Sequence, residues 1–359
     1  MITTQPDPIQ PLRFAIKWEM EAPGWMKENP EMIPIQAIGT GPYKFQEWVK
    51  GQFVKITADE AYWGTPKPTI KDVVLVSRAE AATRAAGVKT TEFDIGSALT
   101  PELCKGIKCI PITPSDTVFI RPNTDHPVLK DKRIRQAMSY AVDRKSIVEN
   151  LNSGFGLPAA QSVASFIVGY NPNLKPDPFD AEKAKSLVAA AKAGGIPVDR
   201  ELQMTWLTGR FPRVSEFVEY VTDSWKKGGL NVKPISRDMQ GWRDAMNTKE
   251  PADKRADLWL NNHGNETGDS GTSLMQYFTC KETRSFYCNE KVDKLYKDST
   301  TASFDDRAKM LQEMWAVVTE DVAVVNMFHQ QVLWGVTPRI KWEPRPDLLV
   351  KFKDIILTQ

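Results

Sequence analysis

Histidine and cysteine are scarce in this chain of 359 residues, which holds three of the first and four of the second. The histidines stand at 126, 263 and 329, far apart in sequence, so neither a metal centre nor a cofactor is implied. An excess of either charge is also missing: 47 Lys and Arg balance 45 Asp and Glu to leave +2. A nucleic-acid binder needs a basic face to displace counterions from phosphates, and this near-neutral composition argues against that class. The longest basic cluster, Lys130 to Arg135, is interrupted by Asp131 and reads as the solvated start of a helix. No run approaches the roughly 18 to 20 continuous apolar residues of a membrane-crossing helix. The opening MITTQPDPIQ has neither a basic n-region nor an apolar h-region, so no export signal is expected within it. Internal repeats and low-complexity tracts are absent as well.

Catalytic signatures are equally thin. Gly268-Asp269-Ser270-Gly271 matches the surroundings of a serine-protease nucleophile. That chemistry needs a histidine base and an orienting carboxylate, and neither His126 nor His263 stands in such a setting. A Gly-rich loop that needs backbone freedom accounts for the tetrapeptide better, although a serine hydrolase acting through Ser270 stays as a distant alternative. Gly39-Thr40-Gly41 lacks the third glycine of a dinucleotide fingerprint, and no Walker spacing occurs. Acid pairs such as Asp305-Asp306 and Glu320-Asp321 fall at expected helix ends, where caps and dipole partners are the simpler reading. Without an assembled catalytic constellation, a binding protein is expected rather than an enzyme.

The cysteines form two close pairs, Cys104 with Cys109 and Cys280 with Cys288. Neither pair has the short spacing by which neighbouring ligands share one zinc ion, so disulfides in an oxidising compartment are favoured over zinc, with unpaired thiols as the remaining option. Four cysteines allow three connectivities.

What is present is patterned, and at 41% hydrophobic and 26% charged residues it is globular, with length for about two to three ordinary domains. Phe53 to Ala58 and Val73 to Val76 alternate with β-branched enrichment and predict strands. Glu80 to Val88 predicts a helix, Glu92 to Gly96 a short buried strand, and Cys104 to Pro114 a loop. From Asp131 a 3.6-residue period sets Ile134, Ala137, Met138, Ala141 and Ile147 on one helical face, with Arg133, Arg135, Asp143 and Arg144 expected to face water. Asp180 is placed to cap a helix that Gly194-Gly195 closes. Then come strand 202–207, helix 214–227, strand 231–235, helix 242–247 and strand 256–260, a βαβ alternation that predicts a parallel sheet. Trp206 and Trp259 fall within these strands and are expected in the core. A long amphipathic helix, 305–319, and an apolar segment, 322–336, complete the pattern.

Several of these residues form a series. Gly39-Thr40-Gly41-Pro42-Tyr43-Lys44-Phe45 with Trp48, Ala61-Tyr62-Trp63-Gly64, Glu92-Phe93-Asp94-Ile95, and the run from Arg133 to Arg144 occur in that order. The sequence resembles the solute-binding protein family 5 of ABC importers, the dipeptide, oligopeptide and nickel binders. Asp180 to Leu187, Trp225 to Val232 and the Trp242 helix match further, so the resemblance spans about 39 to 336.

The resemblance implies an α/β, type II periplasmic-binding-protein fold of two lobes with ligand between them. Lobe I is expected over 1–117, lobe II over 118–324 and a return to lobe I over 325–359. In that family the GTGPY segment lies well inside the mature protein, so the chain is expected to lack the family's N-terminal third. The implied function is an extracytoplasmic receptor, periplasmic or membrane-anchored, that hands peptide to an ABC permease. An oligosaccharide, an opine-like conjugate or a metal chelate is the alternative solute, and a monomer is the family expectation.

The resemblance places Asn265 or Glu266, with Asp269 close by, where peptide-binding members use an aspartate to receive the peptide's ammonium group. A carboxylate in a closed cleft gives charge-assisted recognition of an ammonium. Trp242 matches the family tryptophan that stacks on ligand. Arg210 and Arg121 are candidates to neutralise a ligand carboxylate, each weighed against a surface ion pair. Cys280 to Cys288 lies where related dipeptide binders carry a local disulfide. Independently of the family, ligands of open α/β sheets bind beyond the carboxyl ends of the strands. The polar, glycine-bearing loops 208–211 and 261–273 are therefore the places to look.

Overall fold

The computed structural model describes Pro8 and residues 22–246, 256–265 and 267–358. The chain divides into two compact units, the first built on Thr113–Gln330 and the second on residues 22–112 together with the described residues from Gln331 onward.

The first unit is organised by one six-stranded sheet: β1 (Thr117–Pro122), β2 (Gly156–Pro158), β3 (Leu202–Leu207), β4 (Val232–Arg237), β5 (Leu258–His263) and β6 (Val325–Gln330), in spatial order β2-β6-β1-β5-β3-β4. The predicted βαβ alternation is realised, with β3 parallel to both β4 and β5. The rest of the sheet is antiparallel, because β1 lies between β5 and β6 and runs against both. Val325–Gln330, assigned by the sequence reading to the C-terminal return segment, pairs with β1 in this sheet, and the chain passes to the second unit at Gln331.

Both faces of the sheet are covered, which requires central strands apolar on both sides. Val118, Ile120, Leu258 and Leu260 point into one core shared with helices α1 (Lys132–Tyr140), α2 (Ala181–Ala193) and α3 (Val214–Lys227). After α4 (Met239–Met246), three helices follow β5: α5 (Gly271–Phe278), α6 (Glu290–Ser299) and α7 (Phe304–Glu320). Phe119, on the opposite face of β1, packs in a second core with Leu274 and Phe278 of α5 and Leu311 and Trp315 of α7. The helices start where polar side chains can accept an otherwise orphaned N–H. Asp131, Asp180, Asn289 and Ser303 each take a backbone N–H of the first turn that follows.

One expectation is overturned here. Arg135 and Arg144, expected in water, are buried. Helix α1 ends at Tyr140, and a short helical turn, Arg144–Ser146, and a π-turn, Ile147–Leu151, replace its continuation. The two guanidinium groups turn inward because main-chain carbonyls await them: Arg135 donates to Leu129, Lys130, Asp321 and Val322, and Arg144 to Ser139, Asp177 and Asn326. Loss of water lowers both pKa values, that of Arg144 to about 10.

In the second unit, Tyr43–Val49, Phe53–Ala58 and Asp72–Val76 form an antiparallel sheet. A further sheet holds Ile95–Leu99, Val332–Val336 and Lys108–Ile112. The stretch expected as a loop at 104–114 thus supplies a strand, because its alternating Cys109, Pro111 and Ile110, Ile112 align against Val332 to Gly335.

Candidate functional site

Strands β3 and β5 are parallel neighbours, so the loops that follow them leave the same end of the sheet. Gly209, at φ +70°, turns the chain after β3 and presents Arg210. The Arg210 Nε donates to the carbonyl oxygen of Asn262 at 3.2 Å, and Nη2 donates to the same oxygen. The two loops singled out in the sequence are thereby joined through one guanidinium fork.

The polar side chains on and after β5 differ in what they have left to offer. Asn261 accepts from Arg121 Nε at 3.0 Å. Asn265 is buried and engaged at both ends, with Oδ1 accepting from Ser273 Oγ at 2.5 Å and Nδ2 donating to the Ser162 carbonyl at 3.4 Å. Ser273 Oγ also lies 3.0 Å from His263 Nε2, so Asn265 belongs to an internal polar chain that fixes the loop. Asp269 is fully buried: its oxygens receive Arg307 Nη2 at 2.7 Å and Nε at 2.9 Å, and the backbone N–H of Gly271 at 2.8 Å. Its charge is neutralised inside the protein, against the base of α5. Glu266 lies outside the described residues.

Asn262 is different. Its side chain shares a sheet face with Leu258 and Leu260 at the last turn of the strand, it is 9% exposed, and its Oδ1 is buried without a partner. An acceptor shut away from water and left unbonded costs about 1–3 kcal/mol. Sequence reasoning passed over Asn262, although the period-two alternation from two leucines to an amide at the end of a parallel strand was its signal.

Arg121 does not present its charge outward. It is the penultimate residue of β1, opposite Trp259, 1% exposed, with its guanidinium 4.3 Å from the ring of Tyr277 and 4.9 Å from that of Phe286. It donates to the Arg284 carbonyl, and burial lowers its pKa to about 10. Its work is to hold the 280–288 loop to the sheet, where Thr124 Oγ1 assists by donating to the Phe286 carbonyl at 2.7 Å. Trp242 of α4 packs edge-to-face on Trp259, with ring centroids 6.4 Å apart, and clusters with Met246 and Phe286. Its Nε1 is buried without a partner. The structure therefore brings Arg210 together with Asn262, and sets Asn265 and Asp269 behind the loop and Arg121 and Trp242 in aromatic packing.

Both local cysteine pairs are disulfides, Cys104–Cys109 and Cys280–Cys288, which removes the zinc and free-thiol alternatives for these residues. Ser270 is fully buried and its Oγ accepts from Trp315 Nε1 at 3.1 Å, so it cannot serve as an exposed nucleophile and the hydrolase alternative loses its residue. Among the described residues no group of three or more His, Cys, Asp or Glu is placed to hold a metal ion, and no helix is long and apolar enough to cross a membrane.

The model of the bacterial extracellular solute-binding proteins, family 5, matches residues 4–285. This chain belongs to that family of solute-binding proteins. Among similar proteins, Heme-binding protein A of Haemophilus influenzae is 24% identical over 325 residues, covering 87% of this chain and 58% of that protein. The Dipeptide-binding protein of Escherichia coli is 23% identical over 333 residues, covering 87% and 60%. The chain thus spans about three fifths of the length of these curated relatives. Among solved structures, HbpA2 of Haemophilus parasuis superposes with a TM-score of 0.84 at 22% identity, covering 99% of this chain and 73% of that one. DppA of Helicobacter pylori, in complex with the peptide STSA, gives 0.78 at 17% identity, covering 99% and 71%. The two-lobed, type II periplasmic-binding-protein fold expected from the sequence is the fold these neighbours share.

Proposed function

We propose that this chain is the solute-binding part of an extracytoplasmic receptor that passes a peptide to an ABC permease. The two units correspond, in this reading, to the two lobes. The observation that carries it is the junction at the sheet end, where the exposed Arg210, on the loop after β3, is held on the main-chain carbonyl of Asn262 near the end of the parallel strand β5. The positive charge that Arg210 carries at this end of the sheet suits an anionic group such as a peptide's carboxylate, and fits a short peptide better than an apolar or cationic solute. Glu266 keeps its place as the candidate for the peptide's ammonium group on the resemblance alone. The relative that carries the name Dipeptide-binding protein supports the solute class, and the relative named Heme-binding protein A favours haem as the second reading.

Native mass spectrometry of the purified protein, compared with its denatured mass, tests both. A retained species that fragments as a peptide supports the first reading. A retained chromophore with haem absorbance supports the second and contradicts the first.

A further inference from the structure

A sheet edge offers unpaired N–H and C=O groups to any strand that arrives, and proteins blunt such edges with charge, proline, brevity or cover. Among the described residues every sheet edge but one is blunted. Strand β4 carries Lys233 and Pro234, β2 is three residues long and ends in Pro158, and Lys108–Ile112 holds Lys108 and Pro111. On Ile95–Leu99 the carbonyls of Ser97 and Ala98 are taken by Arg84. Tyr43–Val49 is charged at Lys44 and Glu47 and shifts register between Phe45 and Glu47, and the paired strands Ile340–Lys341 and Ile356–Leu357 have two residues each. The exception is Asp72–Val76, the other edge of the sheet that Tyr43–Val49 begins.

That strand holds neither lysine nor proline, and its Val74, Leu75 and Val76 are 50%, 43% and 37% exposed. Side chains alternate across a strand, so apolar surface lies open on both faces. The backbone is in phase for a partner as well. The Ser77 N–H donates to the Gln52 carbonyl and the Ala58 N–H to that of Lys71, so the odd-numbered residues pair inward, and the N–H and C=O groups of Asp72, Val74 and Val76 face the free edge. Opposite charges stand at the two ends: Asp72, which accepts from Thr57 Oγ1, and Arg78, which donates to the Ser77 carbonyl. Both are exposed, and neither is in a salt bridge among the described residues.

We propose that Asp72–Val76 is the surface through which two copies of this chain pair, antiparallel about a two-fold axis at Leu75. In that register Val74 of one copy faces Val76 of the other, with outward backbone groups on both, and each Asp72 faces the partner's Arg78. A parallel pairing in register would instead set like charges together. A second copy is singled out among possible strands because its charges are already complementary. The interface is isologous and closes on itself, since it uses both free edges and leaves the blunted Tyr43–Val49 at each end of the joined sheet. The expected assembly is a dimer and not a fibre, where the family resemblance alone implies a monomer. The proposal does not depend on which solute the chain binds.

Sedimentation equilibrium of the full chain over a range of concentrations tests it. The wild type is expected to reach twice the monomer mass as concentration rises. Asp72→Arg and Arg78→Asp are each expected to weaken the dimer about tenfold, because the two-fold axis doubles every change from attraction to repulsion, and the double variant is expected to restore wild-type association. A general loss of structure would not give that rescue. Val74→Pro removes an outward N–H, spares the bonds to Phe53–Ala58 and is expected to abolish the dimer. Circular dichroism of each variant establishes that it is folded. A wild type that stays monomeric at every concentration would overturn the proposal. So would open-ended association, a complex with a different polypeptide in place of a second copy, or a dimer indifferent to both charge reversals.

Discussion

Asp269 illustrates how far a residue's role can lie from its position in a loop. The surrounding glycines and polar residues suggest a solvated acid, yet its carboxylate is the inner half of a fully buried pair with Arg307, a partner 38 residues away on a helix whose register no local pattern reveals. Removing one member of such a pair leaves an uncompensated buried charge, at a cost of about 3–5 kcal/mol. Asp269→Ala is expected to lower the urea midpoint by a corresponding amount, and a loss under about 1 kcal/mol would contradict this account. His329 gives a second residue-scale prediction. It is buried beside Thr117, whose Oγ1 lies 2.9 Å from its Nδ1, and burial lowers its pKa from 6.5 to about 4. The neutral ring is therefore favoured in the folded state. The unfolded chain binds the extra proton between these values, so stability is full above pH 6.5 and falls as pH drops towards 4, by up to about 3 kcal/mol. His126, whose pKa burial also lowers against the pull of Asp257, adds to the same slope. Urea midpoints of His329→Gln across this range should fall less steeply than those of the wild type, and an unchanged slope would contradict the assignment.

At the scale of elements, much was legible. Helix α3 occupies the residues its amphipathic pattern predicts, and α2, α7 and β3 follow their caps and alternation to within a residue or two. The misreadings have a common physical source. Arg135 and Arg144 are read by charge as facing water, and Arg121 in β1 as a ligand contact or a surface ion pair, whereas all three are buried. Carbonyls and aromatic faces brought from distant segments supply their partners, and such partners leave no local trace in sequence. The candidate site was legible as two loops but not as a division of labour within them, because that division depends on which side chains find internal partners. Gly271, at the start of α5, makes the same point testably. Helix propensity alone would have alanine there stabilise the protein by up to about 1 kcal/mol. A methyl group at that position would instead lie 2.0 Å from Arg307 Nη2 and 2.8 Å from Asp269 Oδ1, driving apart the buried pair. Gly271→Ala is expected to destabilise by about 1–3 kcal/mol, and by less when combined with Asp269→Ala, since both act on one interaction. A stabilised or unchanged Gly271→Ala protein would show that the pair yields without cost.

At the scale of the whole molecule, the composition excludes more than it identifies, and the order of the family's motifs supplies the class. The fold follows from that class and from the βαβ alternation, and membership of the family of solute-binding proteins follows from the match over residues 4–285. In the proposed reading the solute is decided by a few side chains at one end of one sheet. The central claim is that solute is held there, on the loops after β3 and β5. Hydrogen–deuterium exchange on the full chain, with and without saturating trialanine, tests this most directly. The account predicts slowed exchange at 208–211 and 261–265 when the peptide is present, whereas unchanged exchange in both segments would contradict it.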